Sequence, residues 1–269
     1  MMKKIVRSSW LALVLLFMYL PVVILAVYSF TDTATIGTSG HFSLQNYKTL
    51  FTTGELLSMI GGTFALAFGS ALIATVIGVL AAVGIDAMKK RSYSLTLGVG
   101  NIPMLNADIV TGIALMLWFS RFTNLGYVSI LLAHVTFNIP YVILSVLPKL
   151  QQMDMSVYEA ARDLGASSVK AFTRVILPNI FPAVVSGFFM AETMSMDDFV
   201  VTYFTKGAGI NTLSTMIYGE LKRGIKPEMY ALSTLIFAVV LIVLLLVNYM
   251  PRIRQKQIQR KLQNRKAAS

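Results

Sequence analysis

Six stretches of the chain, at about 9–30, 59–86, 97–119, 126–147, 175–197 and 229–250, are long and apolar enough to cross a lipid bilayer. About 20 mostly apolar residues in a helix cover a hydrocarbon core roughly 30 Å thick. That core offers no water to backbone N–H and C=O groups, so a run of this length must satisfy them within itself, as a helix. Six such runs in 269 residues predict an all-α membrane protein with six transmembrane helices. Charged residues make up 13% of the chain, against about 25% in soluble domains.

The runs differ in character. The first and last are Leu- and Val-rich and suited to facing lipid, whereas the second, "IGGTFALAFGSALIATVIGVLAA", carries Gly, Ala, Ser and Thr throughout. Small residues let helix backbones approach closely, so the second span is expected to be buried among its neighbours. The start, "MMKKIVRSSW" with an apolar run to Phe30, resembles a signal peptide. Its apolar stretch is longer than an h-region of roughly 7–15 residues, and no small-x-small cleavage site follows, so it reads as a retained first span. No repeat of 20–50 residues is visible, and residues 1–269 read as one membrane domain.

The net charge of +11 would suggest nucleic acid in a soluble chain. Here its placement tells more. With the N-terminus inside, the inner segments hold Lys3, Lys4 and Arg7, then Lys89, Lys90 and Arg91, then Lys149, Arg162, Lys170 and Arg174, and seven more in the tail 251–269. The outer segments hold only Lys48, Arg121, Lys206, Lys222, Arg223 and Lys226. Basic residues accumulate on cytoplasmic loops, so both termini and the polar segment 149–174 are expected in the cytoplasm, with the tail resting on anionic lipid. No nucleic-acid partner is expected. With no cysteine there is no disulfide, thiolate metal site or thiol nucleophile.

Two spans are interrupted. The third places Pro103, Asn106 and Asp108 in its middle; the fifth carries Pro178, Pro182, Glu192, Asp197 and Asp198. Such residues are tolerated in lipid only where protein or a water-filled cavity surrounds them. A carboxylate at mid-span costs about 2.5–3.5 kcal/mol on insertion scales, a cost expected to fall mostly on Asp108. At 100° per residue, Asp197 and Asp198 lie roughly 140° and 240° around the helix from Glu192, so one regular helix cannot line up all three. The helix is therefore expected to end near Met196, with the Asp pair forming an outer vestibule or capping loop amides. Phe188 lies one turn before Glu192 on the same face. His134 reads as a helix–helix hydrogen-bonding residue and Trp118 as an interface anchor.

The polar stretch 159–178, "EAARDLGASSVKAFTRVILP", stands between two apolar spans. Ser156 and Glu159 have capping-box spacing, and Val157, Ala161, Leu164, Ser168 and Phe172 fall on one helical face. Gly165 suits a left-handed helix end. A second short helix follows from about Ser167 toward Pro178. Physically, the pair is either an amphipathic connector on lipid headgroups or a docking element; Ala160 and Ala161 at its centre suit close insertion into a partner better than lipid binding.

The order Glu159-Ala160-Ala161, three residues, Gly165, nine residues, Val175, one residue, Leu177-Pro178 resembles the signature loop of ATP-binding-cassette (ABC) importer permeases, with Val175 where Ile is usual. "YLPVVILAVYSF", "SLQNY", "ADIVTGIALML", "HVTFNIPYVILSV" and "SMDDFVVTYF" extend the resemblance, over nearly the whole chain, to spermidine/putrescine permeases of the PotC type. Ala107 stands where that family often has Pro. The resemblance implies the type I ABC importer permease fold with a cytoplasmic coupling helix. It implies three partners: a dimeric cytoplasmic ATPase, a second homologous permease chain and an extracytoplasmic polyamine-binding protein. Glu159, Ala160, Ala161, Gly165, Leu177 and Pro178 would couple to the ATPase. Asp108, Phe188, Glu192, Asp197 and Asp198 are candidates for the path of a polycation, which needs carboxylates and aromatic faces.

No G-x-x-x-x-G-K-[ST] loop is present, so ATP and Mg would be bound by the partner and this chain holds no cofactor. No catalytic or metal-binding residues are expected, since neither "VVSGFF" around Ser186 nor the Asp pair comes with a catalytic partner at a recognisable spacing. Importers of iron, thiamine or a phosphonate share the docking loop and remain alternatives. A proton-coupled secondary transporter would also use intramembrane acids but would need no docking motif.

Overall fold

The computed structural model describes residues 2–33, 40–52, 54–224, 226–238 and 241–242. It resolves into two compact units, one spanning Ser58–Gly219 and one made by the chain up to Leu57 and from Glu220 onward. Helix is the dominant element; among the described residues, β pairing is limited to an isolated bridge between Thr31 and Phe42.

The unit formed by the chain ends contains α1 (Met2–Ser29), α2 (Gln45–Thr52) and a helical stretch at 227–238 and 241–242. The "SLQNY" segment closes the end of α1. Asn46 Nδ2 donates to the carbonyls of Ser29 and Thr31 at 3.2 and 2.8 Å, and Tyr47 OH shares a 2.9 Å hydrogen bond with Ser29 Oγ. Carbonyls left open by the last turn of a helix are thereby satisfied by side chains.

The larger unit is built on three long helices: α3 (Gly54–Asp86), α7 (Tyr127–Gln151) and α10 (Leu177–Asp197). The burial expected of α3 holds for one of its faces: Ala67, Ser70, Ala71, Ala74 and Ala82 are fully buried, while Phe68, Leu72, Val76 and Leu80 stand exposed. Two glycines set the spacing. A Cβ on Gly78 of α3 would stand 2.7 Å from Val142 Cβ of α7, and one on Gly187 of α10 would stand 3.3 Å from Val142 Cα. Val142 is thus gripped from both sides by helices that carry no side chain at the contact. Around it Ala71, Val79, Ala82, Ile85, Ile143, Val146, Leu147, Ile176 and Ile180 form one apolar cluster.

The expected span at 97–119 is not one helix. It is divided among α4 (Lys90–Gly100), α5 (Ile102–Leu105) and α6 (Asp108–Phe119). Pro103 enters the first turn of α5, where its missing N–H costs nothing, and Asn106 and Ala107 are extended. At 1.5 Å per residue the 12-residue α6 is about 18 Å long, too short to cross a bilayer alone. Asp108, expected in mid-span, instead occupies the first turn of α6, where the helix dipole favours a negative group.

Four helical segments among the described residues are long and apolar enough to cross a membrane: Trp10–Ser29, Leu56–Asp86, Tyr127–Gln151 and Ser168–Asp197. Of the expected sixth span, 229–238 is helical, 239–240 and 243–250 lie outside the described residues, and so does the tail 251–269. The fifth begins earlier than expected, because α9 (Ser168–Ala171), a π-helical turn (Phe172–Ile176) and α10 run on continuously. Leu177 N–H reaches back five residues to the Phe172 carbonyl. Pro178 has no N–H to give and its ring would press on the Arg174 carbonyl in a regular turn; the wider turn falls at that place.

Candidate functional site: an acidic cavity and a half-covered helix

The two interrupted spans meet at the end of α10. α10 stops at Asp197, Asp198 takes an extended ψ, and α11 (Val200–Thr205) starts at once in a new direction. The cap predicted for the Asp pair is made by Asp198: its Oδ1 accepts the Val201 N–H at 3.2 Å, and its Oδ2 accepts the Thr202 N–H at 2.7 Å and the Thr202 hydroxyl at 2.8 Å. These bonds satisfy the open donors of the short helix. α11 packs on α6 through Gly112, where a Cβ would come within 3.1 Å of Phe204 and 3.4 Å of Val201 Cα.

Between α5, α6, α7, α10 and α11 lies a cavity of about 350 Å³. Asp108 and Thr111 line it from α6, Phe137 and Tyr141 from α7, and Met194, Asp197, Asp198 and Phe199 from the end of α10 and the turn after it. Three carboxylates far apart in sequence therefore share one opening. Asp108 and Asp197 are exposed there, whereas the Asp198 side chain is only 11% exposed and committed to its capping bonds. Thr111 Oγ1, at the wall, is buried without a hydrogen-bond partner. Such a wall presents negative charge and aromatic faces to whatever enters.

Two of the sequence candidates stand elsewhere. Glu192 is half-buried on α10 and does not line the cavity. Phe188 packs edge-on against Phe68 of α3 and Phe189, with ring centroids 5.4 Å apart in both pairs. Sequence reasoning passed over Tyr141, Phe137, Met194, Phe199 and Thr111. The four-residue spacing of Phe137 and Tyr141, which puts them on one face of α7, is the signal that was available.

The second candidate region is α8 (Ser156–Asp163). The expected capping box does not form. Ser156 is already inside the helix, Met155 is the N-cap, and the acceptor at this end is Asp154 Oδ1, which takes the Ser156 N–H at 3.0 Å. Asp154 reaches this donor two residues on, as in an Asx turn, which leaves Ser156 no capping role. The C-terminal end follows the expectation. Gly165 has φ +84°, its N–H donates to the Arg162 carbonyl at 2.9 Å, and the Ala166 N–H donates to the Ala161 carbonyl at 3.1 Å. That is the Schellman pair of bonds.

Tyr158 holds α8 to the apolar cluster together with Phe172 and Leu177. Ala161 is half-buried, while Glu159, Ala160 and Pro178 are exposed. Val157, Leu164 and Val169 are 55%, 89% and 73% exposed, so the helix pair has one face tied to the chain and an apolar face left bare. Of the expected apolar face, Val157 and Leu164 are bare, whereas Ala161 and Phe172 are half-buried.

The sequence pattern of the family described as "Binding-protein-dependent transport system inner membrane component" matches residues 1–263. The chain belongs to this family of permeases. Among the permease's relatives is the putrescine transport system permease protein PotI of Escherichia coli K12, 33% identical with 96% of each chain covered. Another is the spermidine/putrescine transport system permease protein PotC of Haemophilus influenzae, 34% identical, covering 94% of this chain and 98% of that one. Among solved structures, the permease resembles a bacterial ABC transporter involved in the import of the acidic polysaccharide alginate, with a TM-score of 0.66 at 15% identity over 93% and 96% of the two chains. A crystal structure of a bacterial alginate ABC transporter in complex with alginate pentasaccharide-bound periplasmic protein gives 0.62 at 17%, over 91% and 94%. The permease thus has the ABC importer permease fold and is the transport subunit, an inner-membrane component of such an importer.

Proposed function

We propose that this permease imports polyamines of the putrescine and spermidine class. The observation that carries the reading is the cavity that gathers Asp108, Asp197 and Asp198 beside Tyr141, Phe137 and Phe199. A flexible polycation needs several carboxylates spaced along its length, and each aromatic face adds about 0.5–2 kcal/mol of cation–π attraction. Relatives named for putrescine and spermidine transport support the same class. In this reading Asp108 and Asp197 meet the cation directly and Asp198 contributes its fixed charge at the wall. Glu192, about 7.5 Å further along α10 by helical rise, is the next carboxylate inward, with Phe188 beside it.

Six spans carry the path, with both termini in the cytoplasm, and the bare face of α8 and α9 is a coupling helix at the cytoplasmic surface. There it docks in a partner ATPase dimer, which binds ATP and Mg. Glu159, Ala160, Ala161 and Gly165 form the docked surface, and Leu177 and Pro178 carry its movement into α10. A second permease chain completes the pore, and an extracytoplasmic binding protein delivers the solute. The test is uptake by the complete assembly in proteoliposomes, with putrescine, spermidine, iron, thiamine and a phosphonate offered in turn. Uptake of the two amines alone supports the reading; uptake of one of the others instead refutes it.

A further inference from the structure

A line of buried polar side chains leads away from the cavity into the helix packing. Ser70 Oγ on α3 is 2.9 Å from Ser195 Oγ on α10. Ser195 Oγ meets His134 Nδ1 on α7, and His134 Nε2 is 2.8 Å from Thr202 Oγ1 on α11, which in turn reaches Asp198 Oδ2 at 2.8 Å. Ser70, His134 and Thr202 are fully buried and Ser195 is 3% exposed. Burying a polar group without a partner is costly, and each member of this line has one.

The protons can be placed by counting. A carboxylate only accepts, so the single Thr202 hydroxyl proton points to Asp198 Oδ2. The Thr202 oxygen then receives a proton, and the donor within reach is His134 Nε2–H. A ring with one N–H, placed on Nε2, accepts at Nδ1, where the Ser195 hydroxyl supplies the proton. Ser195 Oγ then has no proton left for Ser70, whose own hydroxyl also lies 3.0 Å from the Ala67 carbonyl. From Ser195 to Asp198 every donor points toward the carboxylate, an arrangement in which successive bonds polarise and strengthen one another.

The backbone amides of Val201 and Thr202 tie the Asp198 carboxylate to α11 but do not tie α11 to anything else. The imidazole does. It joins α11 to α7, as the Ser129 hydroxyl does at the Thr205 carbonyl, and through Ser195 to α10, and it is the member of these ties that reaches Asp198 through Thr202. We propose that His134 is a positioning residue for the solute path, acting through Thr202 to hold Asp198 at a fixed distance from the facing wall. Supporting shells of this kind keep a binding group in its productive geometry. The inference rests on the reading above that the cavity receives the cation.

The test uses the complete importer in proteoliposomes, with KM and maximal rate measured for putrescine and spermidine. Thr202→Val keeps the side-chain shape and removes the hydroxyl, and it is expected to raise KM about tenfold while the maximal rate stays within about twofold. Thr202→Ser is expected to restore KM to within about twofold of the parent, which a purely steric role for Thr202 would not predict. Adding Thr202→Val to Asp198→Asn should bring no further loss, because both act at one group. Should Thr202→Val fail to assemble, Ser195→Ala is read in its place, since it cuts the other arm of the same ring. Asp198→Asn raising KM while Thr202→Val and Ser195→Ala do not overturns the positioning role and leaves the cavity reading standing. Asp198→Asn with the parental KM overturns both.

Discussion

Gly165 offers a clean separation of backbone from side-chain effects at the proposed docking segment. Its φ of +84° belongs to the left-handed region, and a Cβ built on it finds nothing within 4 Å in the chain. The cost of Gly165→Ala within this chain is therefore purely conformational, about 1–2 kcal/mol. That shifts the balance between the capped and frayed ends of α8 by roughly 5–30-fold. Asn tolerates the left-handed region better than Ala, so Gly165→Asn should do less harm. Pro locks φ near −65° and has no N–H, so Gly165→Pro cannot form the turn and loses the bond to the Arg162 carbonyl as well.

The assay is solute imported per ATP hydrolysed by the reconstituted importer. Coupling is expected to fall in the order Gly, Asn, Ala, Pro, with the Pro variant still inserted in the membrane yet hydrolysing ATP without import. The order is the point. If the partner surface simply had no room at residue 165, the larger Asn would couple worse than Ala. That result, or parental coupling in all three variants, refutes the argument that the shape of the α8 end transmits the movement.

Other consequences can be checked directly. Gly78→Ala should lower the thermal unfolding midpoint of the purified permease, because overpacking against Val142 costs about 1–3 kcal/mol, whereas Gly84→Ala, where a Cβ meets nothing within 4 Å, should not. The Ser156 backbone N–H holds the Asp154 carboxyl below the usual carboxylate range, so its support of the first turn of α8 is present above that range and lost as pH falls through its lowered value. Amide exchange at the start of α8, corrected for intrinsic rate, should show that loss in the parent and not in Asp154→Ala. In uptake assays Asp197→Asn should raise KM for spermidine roughly tenfold or more, since one charge pair in contact near 4 Å is worth about 1–4 kcal/mol between bulk water and an effective dielectric of about 20, and Glu192→Gln should do less. An equal or larger effect of Glu192→Gln would place the solute deeper along α10 than the cavity.

Much of the architecture was legible because lipid imposes simple demands. Helix length and the small-residue surface of α3 follow from counting residues, and the Gly165 helix end follows from the one residue type that needs no Cβ there. What stayed hidden depends on where short pieces turn. The run 97–119 is apolar enough to suggest one span, and only the backbone break at Asn106 and Ala107 moves Asp108 from mid-helix to a helix start. The capping-box spacing of Ser156 and Glu159 competed with Asp154 two residues earlier, and the carboxylate won. The partners of His134 come from α10 and α11, 61 and 68 residues away, a distance no periodicity reports.

The acids show why position in a span is a poor guide to their use. Asp197 and Asp198 are neighbours near one end of a helix, yet one faces the opening and the other is bound into the α11 cap. Asp108, which sequence alone would charge with the largest insertion cost, reaches the same cavity because its helix begins there. A helix that starts afresh leaves the backbone donors of its first turn to be satisfied, and a carboxylate at that point both satisfies them and carries charge. The interruptions in α4–α6 and at the α10–α11 junction are therefore what make an acidic cavity tolerable among apolar helices. Mending either break into a continuous helix would remove the cavity before it removed any acid.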